Sequence, residues 1–172
     1  MRRLLTGLLF CLLAVPAGAA PVEVGGLTFT MPESWIAQTP ASPMRKAQYE
    51  VPNPVGAPGV VTFFHFGAAR GGTAQANIER WYRQFQEPRD YLDADVTRGT
   101  VGDLVVHRFR ATGTFLSGRP GGPKTAMPDT TLRAAVFEGR DGNVFVRFVA
   151  PTGLSKAHAD GFDQMVDSVT PR

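Results

Sequence analysis

Residues 131–150 read TLRAAVFEGRDGNVFVRFVA, and the predicted sheet is built outward from them. The runs from Thr131 to Glu138 and from Asn143 to Ala150 have the composition of β-strands. Between them, Arg140-Asp141-Gly142 contains the Asp-Gly pair typical of tight hairpin turns. The stretch therefore predicts an antiparallel β-hairpin, which Pro151 ends.

Five further strands precede this hairpin in the sequence. Val96 to Val101 and Leu104 to Thr112 form a second predicted hairpin, closed at Gly102-Asp103. Farther upstream, the three predicted strands are Gly26 to Thr30, Met44 to Val51 and Val60 to Phe66. The last of these has apolar residues at both parities, which indicates burial on both faces of a sheet.

Two helices complete the prediction. Thr73 is a suitable N-cap for the first, and Pro88 stops it. Its apolar stripe consists of Ala74, Ile78, Trp81, Tyr82 and Phe85. The second helix is expected from about Ser155 to Ser168, with Gly161 weakening it. The expected fold is α+β, a mostly antiparallel seven-stranded sheet with two packed helices. Helical spacing favours core packing for Trp81 and Tyr82, with an exposed aromatic patch as the alternative.

Both ends of this pattern resemble the PsbP-like domains. The segment FTMPESW at residues 29–35 is similar to their strand–Pro–Trp opening. The C-terminal part of the sequence is similar as well. It consists of a strand ending near Pro151 and a helix ending in Met165-Val166-Asp167-Ser168. That family includes an extrinsic photosystem subunit and, by shared fold, a nuclear-import factor that binds a small GTPase. The resemblance implies an α-β-α sandwich, and binding or assembly rather than catalysis.

The first 19 residues have the pattern of a cleaved signal peptide. Arg2 and Arg3 precede the apolar run from Leu4 to Val15, and Ala17-Gly18-Ala19 is a small-residue cleavage site. We therefore expect a signal peptide at 1–19, a single α+β domain at 20–172, and a periplasmic or secreted location. An uncleaved anchor is one alternative. Lipidation at Cys11 is another, although Phe10 is bulky for such a signal.

Cleavage would change the chemistry available to the chain. Losing Arg2 and Arg3 lowers the formal net charge from +3 to +1, which argues against nucleic-acid binding. Losing Cys11, the only cysteine, removes disulfides, thiol nucleophiles and cysteine-based zinc or haem sites. No cofactor is predicted, and no segment after the signal is apolar enough to predict a stable membrane span.

The histidines and small acidic clusters match no catalytic or metal pattern. His65 and His107 lie on predicted strands without a third metal ligand, and His158 is expected at the rim of the last helix. Ser117 lacks the frame of a hydrolase nucleophile. The acidic turn formed by Asp90, Asp93 and Asp95 lacks the spacing of a calcium loop.

Arginines provide the candidate binding residues. Arg108 and Arg110 lie on one face of their strand because side chains alternate. Neighbouring strands offer Arg98, Arg133 and Arg147, and an aligned register would produce a guanidinium cluster that binds carboxylate or phosphate. The alternative is a solvated face neutralised by Asp and Glu. The Gly/Pro-rich stretch from Gly113 to Pro128 is predicted to be a long loop, with Arg119 and Lys124 as further candidate contacts.

These features predict an exported, non-enzymatic binding or assembly module of the cell envelope. The expected partner is an envelope protein or an anionic small ligand. One alternative is a small periplasmic hydrolase-type enzyme that uses His107 or His65, which would need a pocket with a second titratable group beside the histidine. The other is a purely structural envelope component.

Overall fold

A computed structural model describes residues 21–68, 70–119 and 121–172, so the predicted signal peptide lies outside the described residues. Within those ranges the chain forms ten strands, three α-helices and a 3-10 turn at Arg89–Tyr91. The elements, in chain order, are β1 (Pro21–Val24), β2 (Leu27–Thr30), β3 (Ile36–Gln38), β4 (Arg45–Val51), β5 (Gly59–His65), α1 (Ala74–Tyr82), β6 (Asp93–Val101), β7 (Leu104–Ser117), β8 (Thr125–Phe137), β9 (Val144–Pro151), α2 (Thr152–Ala157), α3 (Ala159–Asp167) and β10 (Thr170–Pro171).

The strands form a seven-stranded main sheet and a three-stranded small sheet, both antiparallel. The order in the main sheet is β3-β4-β5-β9-β8-β7-β6, and in the small sheet β1-β2-β10. The predicted α+β class and the seven-stranded antiparallel sheet are confirmed, but one member of the sheet differs. The strand predicted at Gly26 to Thr30 belongs to the small sheet as β2, and β3 occupies an edge of the main sheet. All three residues of β3 are exposed, so no apolar alternation marks it in the sequence.

The main sheet is buried on both faces along its central strands. On β9, Phe145 packs toward α1, while Val146 and Phe148 pack toward the small sheet and the C-terminal helices. On the latter side, the Phe29 ring of the small sheet lies 5.2 Å from Phe63 and 5.0 Å from Phe137. The main sheet is thus the middle layer of a three-layer structure, and its outer layers hide apolar side chains from water.

Helix α1 covers one face of the sheet as its sequence pattern predicts. The Thr73 hydroxyl accepts a hydrogen bond from the Ala76 backbone N–H at 3.1 Å, which caps the helix. Trp81 is 3% exposed, and its ring lies 5.5 Å from that of Phe109 on β7. Tyr82 packs edge-on against the same phenylalanine at 5.0 Å. Both side chains therefore belong to the core, as the helical spacing predicted.

The C-terminal helix is divided, which the sequence pattern did not predict. Helices α2 and α3 meet at His158, whose backbone (φ −108°, ψ 16°) interrupts the helical path. The side-chain Nδ1 of His158 accepts a hydrogen bond from the Trp35 indole N–H at 3.3 Å. This contact ties the break to the segment that follows the small sheet. Phe162 on α3 is 2% exposed, so the apolar stripe still faces the core.

The prediction of a long loop from Gly113 to Pro128 is wrong, because most of this stretch forms β-strand. Strand β7 continues to Ser117 and β8 begins at Thr125, so only residues 118–124 connect them. The two strand extensions form an arm beyond the main sheet, with a register shift between Gly113 and Phe115. Such a bulge bends the strands and lets the arm leave the plane of the sheet.

The arm is stabilised by the segment that follows α1. The Leu116 N–H donates to the Gln84 carbonyl at 2.7 Å, and the Gln86 N–H donates to the Thr114 carbonyl at 2.9 Å. Phe115 is buried against Phe85, with ring centroids 5.6 Å apart. The composition of the stretch suggested a loop, but this long-range pairing satisfies its backbone groups and makes it strand.

Removing the Trp81 side chain should destabilise the fold. Trp81→Ala leaves a cavity between α1 and the sheet, and we expect the free energy of unfolding to fall by about 3–5 kcal/mol. Urea denaturation followed by circular dichroism measures this change. Val55→Ala is the control, because Val55 is 89% exposed and should have little effect. A Trp81→Ala variant as stable as the control would contradict the core assignment.

Candidate functional site

Three of the predicted arginines share the sheet face covered by α2 and α3. Arg110 on β7 lies directly opposite Arg133 on β8 in the strand register. Arg108 lies two residues before Arg110 and therefore points to the same side. The predicted alignment of guanidinium groups thus exists for these three residues.

Each of these three arginines already has a partner within the chain. Arg110 donates to both carboxylate oxygens of Asp93, at 2.8 and 3.0 Å, and this hydrogen bonding holds the pKa of Asp93 below its usual value. Arg108 pairs with Asp167 of α3. Arg133 donates from Nε to the Ser155 hydroxyl at 3.1 Å. Asp side chains therefore neutralise Arg108 and Arg110, whereas the partner of Arg133 is an uncharged hydroxyl.

A cleft of about 170 Å³ separates α3 from the strands that carry these arginines. Arg133 and Asp163 line it, and they are not a hydrogen-bonded ion pair in the described structure. Burial raises the pKa of Asp163, although Arg133 and Arg108 oppose the shift. Burial likewise lowers the pKa of Arg133, with Asp163 opposing. The cleft therefore holds two charged groups that are both incompletely solvated.

The remaining predicted residues lie elsewhere. Arg98 is opposite His107 in the register, so it lies on the α1 face of the exposed edge strand β6. Arg119 and Lys124 lie in the loop between β7 and β8, where the Lys124 ammonium donates to the Arg119 carbonyl at 2.7 Å. Arg147 also lies on the α1 face, away from Arg108, Arg110 and Arg133. The seven predicted residues therefore do not form one cluster.

Arg147 occupies a setting unlike that of the other predicted arginines. One terminal nitrogen, Nη2, donates to Oε1 of Gln84 at 2.6 Å, and the guanidinium carbon lies 5.9 Å from the centre of the Phe115 ring. Its Nε is buried and has no hydrogen-bond partner among the described residues, as is also true of Arg108 Nε, but Arg108 has a carboxylate partner in Asp167. Gln84 and Phe115 both come from the junction of α1 with the arm. The junction therefore covers most of a cationic side chain, which keeps partial exposure to solvent.

A second arginine lies near Arg147 on the same face. In the strand register, Gln48 of β4, Thr62 of β5 and Arg147 of β9 form one cross-strand row. Arg45 donates to Oε1 of Gln48 at 2.6 Å. Arg45, Gln48, Thr62, Gln84 and Arg147 are hereafter the Arg147 site. Within the described residues, neither of its arginines forms an ion pair with a carboxylate.

The electrostatics of the Arg147 site favour an added negative charge. Burial lowers the pKa of the Arg147 guanidinium to about 10, and the charge of Arg45 acts in the same direction. A guanidinium removed from water is costly unless an anion compensates it. Its donors are suited to a carboxylate or phosphate in two-point contact. The Gln84 amide oxygen accepts from Arg147 and the Gln48 amide oxygen accepts from Arg45, but neither amide carries a net charge.

The histidines occupy three separate places. His107 Nε2 is 2.7 Å from Oε1 of Glu138 on the α1 face, and neither residue lines the α3 cleft. His65 lines a shallow depression at one end of the main sheet, with Nδ1 3.4 Å from the Asn143 carbonyl. Among the described residues, no three His, Cys, Asp or Glu side chains are grouped to hold a metal ion.

Sequence reasoning missed Arg45, Gln48 and Gln84. Gln84 lies two residues beyond Tyr82, where α1 ends, and no local sequence pattern marks it as a partner of Arg147. Its contact with Arg147 depends on how the arm and the end of α1 meet, which no local pattern encodes. A signal did exist at Arg147 itself, because it is the one charged residue in the apolar strand VFVRFVAP.

The scan against family models and the search of curated proteins produced no match. The search of solved structures found chains with a similar fold. The solution structure of the cyanobacterial PsbP from Synechocystis sp. PCC 6803 superposes with a TM-score of 0.54 at 14% identity, covering 86% of this chain and 88% of that one.

The chain has a PsbP-like fold. A second structure, LpqN of Mycobacterium tuberculosis, described as involved in cell envelope biogenesis, has a TM-score of 0.53 at 10% identity. The aligned region covers 91% of this chain and 86% of the LpqN chain. These likenesses confirm the PsbP-like architecture expected from the two ends of the sequence. Among the described residues, no helix has the length and apolar character needed to span a bilayer.

The half-buried carboxylate of Asp163 should make stability depend on pH. Its pKa is raised in the folded chain, so ionised Asp163 lowers the free energy of unfolding at neutral pH. We expect Asp163→Asn to be more stable than wild type at pH 7. The difference should shrink as pH falls through the raised pKa and vanish below about pH 3.9, the unfolded value.

Urea denaturation across this pH range measures the effect. Asp90→Asn, at an exposed position, is the control and should leave the profile unchanged. An Asp163→Asn variant that is less stable than wild type at pH 7 would show that attraction to Arg133 outweighs burial.

Proposed function

We propose that this PsbP-like chain is an exported, non-enzymatic binding module of the cell envelope, and that the Arg147 site binds an anionic group of its ligand or partner. The observation that carries the proposal is the mostly covered Arg147 guanidinium, which has a neutral amide partner and an unpartnered Nε. Its positive charge lacks the compensation that Arg108 and Arg110 receive from Asp167 and Asp93.

Export is supported by the pattern of residues 1–19 and by the composition of the remaining chain. Beyond Cys11 the sequence contains no cysteine, as suits a domain stabilised by its hydrophobic core alone. The fold likeness to LpqN, a protein of cell envelope biogenesis, agrees with a place in the envelope. An envelope protein or a small anionic ligand remains the expected partner.

The site geometry favours binding over hydrolysis. His107 has a carboxylate neighbour in Glu138, whose side chain is 43% exposed, and the pair lies outside both the α3 cleft and the depression at the end of the sheet. His65 lines that depression without a carboxylate partner. A general base needs a positioned reacting group beside it in a pocket, and neither histidine has that arrangement.

The export proposal predicts a processed mature chain. When the full chain is expressed in a bacterium with a periplasm, we expect its exported form to begin at Ala20, because Ala17-Gly18-Ala19 is the cleavage signal. Intact-mass spectrometry of the periplasmic fraction measures this terminus. Ala17→Leu together with Ala19→Leu should block processing. An unprocessed wild-type chain in the cytoplasm would overturn the export proposal.

The anion-binding proposal predicts that Arg147 is needed for anion binding and adds no stability to the anion-free chain. We expect phosphate or succinate to raise the melting temperature of the wild-type chain, compared with chloride at equal ionic strength, because a ligand that binds only the folded state stabilises it. Arg147→Met should abolish this response. Without the anion, its free energy of unfolding should be unchanged or raised by up to about 1–2 kcal/mol, because a buried charge is removed.

Arg133→Met is the matched control. Arg133 is a strand arginine on the opposite face, partnered by Ser155, and its variant should keep the anion response. A wild-type chain that responds no more to phosphate or succinate than to chloride would overturn the site. So would an Arg147→Met variant that still responds like wild type.

A further inference from the structure

The end of the main sheet where β4 begins and β5 ends carries a shallow depression of about 400 Å³. Met44, Lys46, His65, Phe66 and Arg70 line it. None of these lining residues belongs to the Arg147 site or to the α3 cleft, although Arg45 of the Arg147 site lies between Met44 and Lys46 in the chain. Neither its apolar nor its basic residues have a role in the proposed anion binding.

The centre of the depression is apolar and accessible. Met44 is 60% exposed and Phe66 is 39% exposed. The Phe66 ring is held by Phe64, stacked at 6.3 Å, and by Phe145 at 6.2 Å. Single exposed apolar residues are ordinary on a protein surface. Here a supported aromatic ring and a flexible methionine are exposed side by side.

Basic side chains border this apolar centre. Lys46 is the extra residue of a bulge between Arg45 and Ala47, where the pairing of β4 with β5 shifts. A bulged residue is left out of the regular pairing, and here Lys46 borders the depression. Arg70 lies on the β5 side, and no Asp or Glu is among the described residues that line the depression.

The carboxylates at this end of the sheet lie on other turns. Asp103 belongs to the turn between β6 and β7, and Glu138 and Asp141 belong to the turn between β8 and β9. Glu138 contacts His107 on the α1 face. The charge bordering the apolar centre is therefore positive within the described residues.

We propose that Met44, Lys46, Phe66 and Arg70, hereafter the membrane patch, dock the chain onto the surface of an anionic lipid bilayer. Exposed Met and Phe side chains can enter the headgroup region while Lys and Arg reach the lipid phosphates. The depression is shallow and open, and this shape suits contact with a fluid lipid bilayer. Recognition of an acidic protein would instead favour an enclosed pocket that binds one of its side chains. The proposal is independent of anion binding at Arg147.

Vesicle co-sedimentation of the chain from Ala20 onward tests the membrane patch. One set of vesicles is phosphatidylcholine alone, and the other is phosphatidylcholine and phosphatidylglycerol in equal parts. We expect binding to the anionic vesicles at least about tenfold tighter than to the neutral ones, weakening as salt screens the charges. Met44→Ser with Phe66→Ser, and separately Lys46→Gln with Arg70→Gln, should each weaken binding about tenfold or more.

Matched controls lie at the other end of the sheet. Val55→Ser removes an apolar side chain that is 89% exposed in the turn between β4 and β5. Arg119→Gln with Lys124→Gln removes two basic charges from the loop between β7 and β8. Both controls should bind anionic vesicles like wild type. Circular dichroism melts of every variant show whether its fold is intact.

Four outcomes would overturn the membrane patch. The first is no binding of wild type to the anionic vesicles. The second is equal loss of binding in the control and patch variants, which would mean a diffuse charge effect. The third is full binding by the folded Met44→Ser, Phe66→Ser variant, which would exclude apolar insertion. Binding to a soluble acidic protein without binding to anionic vesicles would likewise contradict the bilayer as the partner.

Discussion

Burial of the main sheet on both faces is the constraint on which the rest of the structure depends. On one side α1 covers β7, β8 and β9, and on the other side the small sheet with α2 and α3 covers β5, β9 and β8. After the predicted signal the chain has no cysteine, so apolar contact must supply its stability. Any polar side chain on these strands consequently lies under an outer layer or at its margin.

That constraint explains why similar arginines have different surroundings. Arg110 and Arg108 lie on β7 near the edge of the sheet, where Asp93 and Asp167 can reach them beside solvent. Arg147 lies on the central strand β9, where the outer layer supplies only Gln84 and Phe115. Because its charge has no carboxylate partner among the described residues, binding an external anion would stabilise the folded chain. The proposed anion binding at Arg147 thus depends on its depth in the sheet.

The Arg147 site and the membrane patch are different surfaces of the molecule. Arg147 and Gln84 lie where the arm and the end of α1 meet the α1 face, whereas the membrane patch lies at the end of the sheet where β4 begins, next to Arg45 of the Arg147 site. A chain docked through Met44 and Phe66 would leave the loop between β7 and β8 directed away from the lipid. Simultaneous contact with a bilayer and with an anionic partner is therefore compatible with the geometry.

The sequence by itself determined the α+β class, the two hairpins, the capped helix α1 and the burial of Trp81, because alternation, turn chemistry and helical spacing are local. It also marked Arg147 as a charge within an apolar strand. Tertiary structure alone decided that the stretch from Gly113 to Pro128 is mostly strand, and that Arg147 faces Gln84. Those outcomes depend on hydrogen bonds and packing between residues far apart in the chain, which no short pattern records.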